Sequence, residues 1–371
     1  EVGRMTRLRI LLATLTVLTA LVATVPAVAQ PGGNPIPGGN PIPGNGGVFE
    51  LAWTGDISPP VGQPRGDDYG TSELALAGQP DAVALPGDLV YECGSPAAFT
   101  SPVGYQGSWG RLKGISYFPA LGNHDVCEPG PGAPSWGAYF ADQLANLPCT
   151  QLTPPCRPDL GYYDRDLDVN SDGRPDWYVL VLASDCQRIQ GATGDTQTAP
   201  CGAGSPQHEW LKFAMGRRHG GATAGQKCSI AIWHHERWGT TTFGDDPSTQ
   251  QFILTLNHFH NDLILSGHAH ALARLGAMTW DGHLAPEGHG QRQITAGVGG
   301  RSRLPFRVNP AREGTRYRSN TNYGIGWLRL TASQSPAGWT GGTWSHEFRL
   351  VGNDGEGATV DKEGTTAGCW P

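Results

Sequence analysis

Short apolar runs separated by polar, glycine-rich stretches recur along the chain from Val48 onward. Seven of them have the length and composition of buried strands: Val48 to Thr54, Asp81 to Leu85, Ile115 to Ala120, Trp177 to Ala183, Ser229 to Trp233, Leu263 to Ser266 and Gln293 to Ala296. Apolar positions at helical spacing predict helices over Pro134 to Leu147, Ser205 to Arg218 and Pro247 to Phe259. Ser205 is placed to cap the second, with Pro206 in its first turn. Strands alternating with helices indicate a layered α/β domain, to which runs between Tyr323 and Leu350 add antiparallel sheet. No second domain boundary is visible.

Upstream of Val48 the pattern changes. Arg7 and Arg9 precede an apolar run from Ile10 to Val25, followed by Ala27-Val28-Ala29. That order of charged, apolar and small residues predicts a secretory signal peptide over residues 1–29, with Met5 as the start and cleavage before Gln30. The apolar run is shorter than the ~20 residues that span a bilayer. Next, Gly33-Asn34-Pro35-Ile36-Pro37 repeats as Gly39-Asn40-Pro41-Ile42-Pro43. Such a stretch is neither helix nor central strand, and residues 30–47 are read as a Pro/Gly-rich linker before a domain over 48–371.

Composition narrows the class. Gly and Pro number 54 and 30, about twice their usual combined share, which favours turns and long loops over a helical bundle. A formal charge of -7 gives no general attraction to nucleic acid or to an anionic membrane. A phosphate-bearing ligand would therefore need local positive charge or metal. Export makes the eight cysteines more suited to disulfides than to metal ligation. Cys149 with Cys156 and Cys186 with Cys201 would close short loops, whereas Cys93 with Cys127 and Cys228 with Cys369 rest on less, since eight cysteines allow many connectivities.

Five strand ends run directly into residues that coordinate metals: Gly55-Asp56, Gly87-Asp88-Leu89-Val90-Tyr91, Gly122-Asn123-His124-Asp125, His234-His235 and Gly267-His268-Ala269-His270. In open α/β sheets, ligands bind outside the carboxyl ends of strands, so these ends can share one cleft. Each cluster alone is an ordinary turn. His258 and His260, at the end of a predicted helix, read as ordinary satisfied histidines of the surface or the core. Together, carboxylate, amide and imidazole suit borderline metal ions, and an Asp can bridge two of them.

The ordered blocks resemble the calcineurin-like metallophosphoesterases, and in detail their purple acid phosphatase branch. The wider family opens with Asp-x-His, but Asp56-Ile57-Ser58 lacks the histidine, and Tyr91 stands three residues after Asp88, where that branch supplies a phenolate. Trp109-Gly110-Arg111, Tyr162-Tyr163, the segment Cys201 to Gln207, Gly297-Val298-Gly299-Gly300 and the Cys-containing tail are similar to bacterial secreted members. The resemblance implies a four-layer α-β-β-α sandwich with two mixed β-sheets and makes 48–371 the catalytic domain. The two-domain relatives carry a β-sandwich where this chain has its Pro/Gly-rich stretch.

By the same resemblance, one ion takes Asp56, Asp88, Tyr91 and His270, and the other Asp88, Asn123, His234 and His268. The first should be Fe(III), the second Zn(II), Fe(II) or Mn(II). The implied activity is hydrolysis of phosphate esters, foremost monoesters, by a water that the metals acidify towards a pKa of ~7. His124 would stabilise the transition state or protonate the leaving oxygen, and Asp125 would orient its ring. His235 is a supporting candidate behind the ligands, while Glu236 stands where relatives usually carry proline. The competing readings are a phosphodiesterase on nucleotide or lipid head-group esters and a non-catalytic secreted binding protein on the same fold.

Two further features have less specific readings. Asp168, Asn170, Asp172 and Asp176 have the spacing of a calcium loop, but Val179 stands where its glutamate belongs, and the alternative is a polar hairpin tip. Arg301, Arg303, Arg307, Arg312, Arg316 and Arg318 form a basic run that is either solvated or a rim attracting a phosphoester dianion; Arg301 and Arg303 are its candidates for substrate contact. The expected partner is a small phosphoester. No nucleic-acid surface is evident, no membrane segment remains after signal cleavage, and no oligomeric state is implied.

Overall fold

A computed structural model describes residues 41–60, 66–126, 134–186, 201–219, 228–286, 289–306, 311–335, 338–352 and 358–369. The expected leader and most of the expected linker lie outside them. In chain order the strands are β1 (Ile42–Pro43), β2 (Val48–Trp53), β3 (Ala82–Pro86), β4 (Ser116–Ala120) and β5 (Tyr163–Asp168). They continue as β6 (Trp177–Val181), β7 (Cys228–Ile232), β8 (Leu263–Ser266), β9 (Leu272–Met278) and β10 (Gln291–Ala296). The last are β11 (Thr315–Ser319), β12 (Gly324–Ser335), β13 (Gly338–Leu350) and β14 (Ala358–Gly368).

These strands form two mixed sheets flanked by helices, one ordered β1-β5-β6-β7-β8-β10-β9-β11 and the other β14-β13-β12-β2-β3-β4. Within the first, β6, β7, β8 and β10 are parallel neighbours; within the second, β2, β3 and β4 are. Strands β3, β6, β7 and β8 are buried along their whole length. Covered on both faces, they read as unbroken apolar runs rather than as alternation. The sheets meet where the Trp177 indole of β6 donates to the Thr331 carbonyl of β12 at 3.0 Å.

Helix Asp68–Gly78 lies over the second sheet, its last glycine against the Trp327 ring of β12. On the first sheet, helices Pro206–His219 and Gln250–His258 pack together, joined by His208 and Thr255 at 3.0 Å. Gln207 ties the former to Ala183 after β6, and Gln291 of β10 reaches the Ile253 carbonyl of the latter.

Several expected elements differ. The helix expected over 134–147 is two short helices, Pro134–Tyr139 and Ala141–Leu144, because the chain turns at Phe140 to seat its ring against Phe99, Tyr105 and Trp136. The third expected helix starts as a tight turn at Pro247–Thr249. Helix Asp68–Gly78 and strands β9, β11 and β14 had no clear periodic signal. Ile42–Pro43 pairs as an edge strand on β5, with Ile42 buried.

Disulfides join Cys149 to Cys156, Cys186 to Cys201 and Cys228 to Cys369. Cys93 is disulfide-bonded too; the partner expected for it, Cys127, lies outside the described residues. No helix among the described residues is long and apolar enough to cross a membrane.

Candidate metal centre

The five clusters converge between the two sheets. Asp56 follows β2, Asp88 and Tyr91 follow β3, and Asn123 follows β4, all on the second sheet. From the first sheet come His234 and His235 after β7, and His268 and His270 after β8. The loops are laced by backbone bonds: Asp56 to Gly87, Ile57 to Asp88, Gly267 to His234 and Gly55 to Ala296. Such close approach needs strand ends without side chains. A Cβ on Gly122 would lie 2.1 Å from both the amide nitrogen and Oδ1 of Asp88, and one on Gly267 would lie 2.8 Å from Asp56 Oδ2.

Asp56, Asp88, His268 and His270 all hold positive φ angles, between 49° and 62°. Non-glycine residues rarely adopt that conformation, and its clustering marks a site where backbone strain is held for function. Each carboxylate divides its oxygens. Asp56 Oδ2 accepts from the His268 amide at 2.7 Å and Asp88 Oδ1 from the His124 amide at 2.8 Å, which leaves Asp56 Oδ1 and Asp88 Oδ2 facing inward. The Tyr91 hydroxyl lies 2.9 Å from both inward oxygens and 3.3 Å from His270 Nε2.

Both imidazoles nearest the carboxylates are fixed from behind. His234 Nδ1 meets the Pro86 carbonyl at 2.8 Å, so Nε2 lies 3.3 Å from Asp88 Oδ2. His270 Nδ1 meets the Ser302 carbonyl, so Nε2 lies 3.2 Å from Asp56 Oδ1. A carbonyl behind a ring that aims its other nitrogen inward is the usual support of a metal-ligating histidine. His268 Nδ1 stands 3.2 Å from His234 Nε2. The ligand atoms of Asp56, Asp88 and His234 lie within 4.8 Å of one another, as do those of His234, His235 and His268.

The donors fit metal ions. One phenolic proton can serve only one of the two carboxylates that crowd Tyr91, so a cation is the natural partner for the remaining oxygens. The protein charges agree. Burial, the largest single influence, would raise the Asp88 carboxyl, but His234 and His124 together outweigh it and hold the group well below the ordinary carboxylate range. Burial likewise opposes the His234 charge, yet Asp88 pushes that imidazole up to about 10. Burial, Asp56 and Asp88 together drive the Tyr91 phenol well above its usual value, so only a cation would draw out the phenolate.

Comparison with known proteins agrees with this geometry, for the profile described as calcineurin-like phosphoesterase matches residues 52–272. The chain belongs to the calcineurin-like phosphoesterase family. No curated protein sequence matches it. Among solved structures, the purple acid phosphatase PPD1 from yellow lupin (Lupinus luteus) seeds superposes with a TM-score of 0.60 at 15% identity, over 87% of this chain and 54% of that one. The present chain thus spans about half of that relative. GAP50, described as the anchor in the inner membrane complex of Plasmodium, superposes at 0.51 with 12% identity, over 86% and 90%. At such identities the likeness is one of fold.

Around the calcineurin-like core, the remaining candidates separate. His124 sits at the mouth, its ring 4.4 Å from the Tyr91 ring, Nε2 4.0 Å from Asp88 Oδ2 and Nδ1 2.7 Å from the Glu92 carbonyl. Asp125, expected to orient that ring, commits its two oxygens to the amides of Leu89 and Gly122, because the turn carries it to the opposite side. Burial, then the charge of Asp88, raises the Asp125 carboxyl to about 8. His235 lies beside His234 and His268, with Nδ1 2.9 Å from Ser184 Oγ.

Arg301 turns toward the site, 4.7 Å over the Tyr91 ring, whereas Arg303 turns away onto the Thr321 carbonyl and the Tyr323 ring. Arg312 pairs with Asp245, and Arg307 lies outside the described residues. Sequence reasoning missed Glu92, Ser184 and Phe243. Ser184 had the same signal as the others, a polar residue just past a strand end, while Phe243 had none. It is 51% exposed, yet its ring stacks on His268 at 4.2 Å.

The calcium-like segment is the tip of the hairpin between β5 and β6. Asp168 there accepts from the amides of Asp172 and Gly173, and Asp176 from those of Val169 and Asn170, so these oxygens brace the turn. His258 is exposed at its helix end.

Proposed function

We propose that this protein is a secreted phosphomonoesterase of the purple acid phosphatase-like branch. The observation that carries the reading is the Tyr91 hydroxyl at 2.9 Å from both Asp56 and Asp88, where the wider family would place a histidine. Asp56, Asp88, Tyr91 and His270 would hold Fe(III), and Asp88, Asn123, His234 and His268 would hold Zn(II), Fe(II) or Mn(II). When bound, the ions supply an acidified water and positive charge for the phosphoryl oxygens. His124, its Nδ1 against the Glu92 carbonyl, keeps Nε2 for the leaving oxygen. Asp125 fixes the backbone on which His124 rides, and His235 lines the side where His234 and His268 stand. The disulfides support an oxidising destination.

The test is turnover of para-nitrophenyl phosphate against bis(para-nitrophenyl) phosphate, with metal analysis of the same preparation. Faster monoester turnover by protein holding two metals supports the reading. A strong diester preference makes it a phosphodiesterase, and two bound metals with neither activity make it a binding protein.

A further inference from the structure

We propose that Arg301 selects the dianionic phosphate monoester and that Glu92 is the carboxylate the incoming phosphate displaces from it. The inference rests on the phosphomonoesterase reading and deepens it. Arg301 is anchored at the centre of the site: its amide donates to the Asp56 carbonyl at 2.9 Å. Its guanidinium lies over the Tyr91 ring and pairs with Glu92 Oε1 at 2.5 Å. Glu92 in turn follows Tyr91 directly, and its carbonyl holds His124. The cation, the phenol and the histidine at the mouth therefore share one corner, with Glu92 at its solvent side. Arg303, only two residues on, is held elsewhere, so among the described residues of this loop Arg301 alone turns its guanidinium here.

A guanidinium offers five N–H donors in a rigid fork that matches two phosphate oxygens. The pair with Glu92 uses one side of that fork at a partly exposed position, where an ion pair is weak and exchangeable. A monoester brings a second anionic oxygen that can take the place of the carboxylate. In a diester that oxygen carries an organic substituent, which offers no charge and obstructs the fork. Arg301 thus discriminates by a charge-assisted contact that only the monoester completes.

The experiment uses the full-length, metal-loaded protein carrying Arg301→Met, Arg301→Lys or Glu92→Gln, with metal content measured for each. Calorimetric titration with inorganic phosphate should show binding weakened ~10- to 100-fold in Arg301→Met, partly restored in Arg301→Lys, and tightened in Glu92→Gln. The KM for para-nitrophenyl phosphate should rise in parallel, and by ~10-fold or more beyond any rise for the bis ester. Unchanged phosphate affinity in a fully metallated Arg301→Met, or equal losses on both esters, overturns the proposal. A wild-type enzyme that prefers the diester sinks the phosphomonoesterase reading instead, and phosphate binding by Arg301→Met then reports separately whether the guanidinium is an anion ligand.

Discussion

The Tyr91 hydroxyl meets Asp88 Oδ2, three residues earlier in the same loop, at 2.9 Å. A phenol placed this way becomes a ligand only when a cation draws out its proton. Protein loaded with iron should therefore show a visible phenolate-to-iron absorption band that Tyr91→Phe abolishes, with loss of iron, while the metal-free forms of the two proteins unfold at similar temperatures. A colourless, fully active wild type containing no iron contradicts the assignment.

Gly122 is the second point of leverage. An alanine there would place its Cβ 2.1 Å from Asp88, so the loop after β3 must shift and carry Asp88 away from His234. Gly122→Ala should lower kcat/KM by ~100-fold or more, the scale of an ångström-sized misplacement, and should reduce bound metal in elemental analysis. Full metal occupancy with normal kinetics would contradict the geometry.

Strand ends were the most legible part of this protein. Buried parallel strands such as β7 and β8 are unbroken apolar runs, and the polar residues just beyond them, His234 and His268, stand out by contrast. What escaped reading were elements defined by partners rather than by their own pattern. Strand β11 is half-exposed along Thr315–Ser319, and only its pairing with β9 makes it a strand. The tertiary contacts of Phe243 on His268 and of Glu92 on Arg301 link positions far apart in the chain, which no local periodicity records.

His346 in β13 gives a pH prediction away from the metals. It is buried, neither ring nitrogen has a hydrogen-bond partner among the described residues, and burial, then the charge of Arg274, lowers it from 6.5 to about 3. The unfolded chain takes up this proton first, so the stability contribution is complete above pH 6.5 and is lost as pH falls towards 3. Between neutrality and pH 5 the cost is about 2 kcal/mol. Denaturant unfolding at the two pH values should show His346→Leu losing less stability than the wild type by that amount; equal losses would refute the burial argument.

The Cys228–Cys369 bond ties β7 to the end of the chain across 141 residues. Replacing both cysteines by serine should lower stability by about 2–5 kcal/mol, read as an earlier denaturant midpoint with unchanged metal content. A midpoint equal to that of the wild type would show that strand pairing alone holds the tail.

The division of the site between the two sheets also sets a timetable. Growing from its amino end, the chain first exposes the carboxylates, phenol and amide of residues 56–123, an incomplete chelate. The imidazoles that close it, at 234–270, emerge only after β7 and β8 have been synthesised. Durable capture of an ion by such a set would then wait until these distant stretches have met, so a bound metal would record that the tertiary structure has been completed.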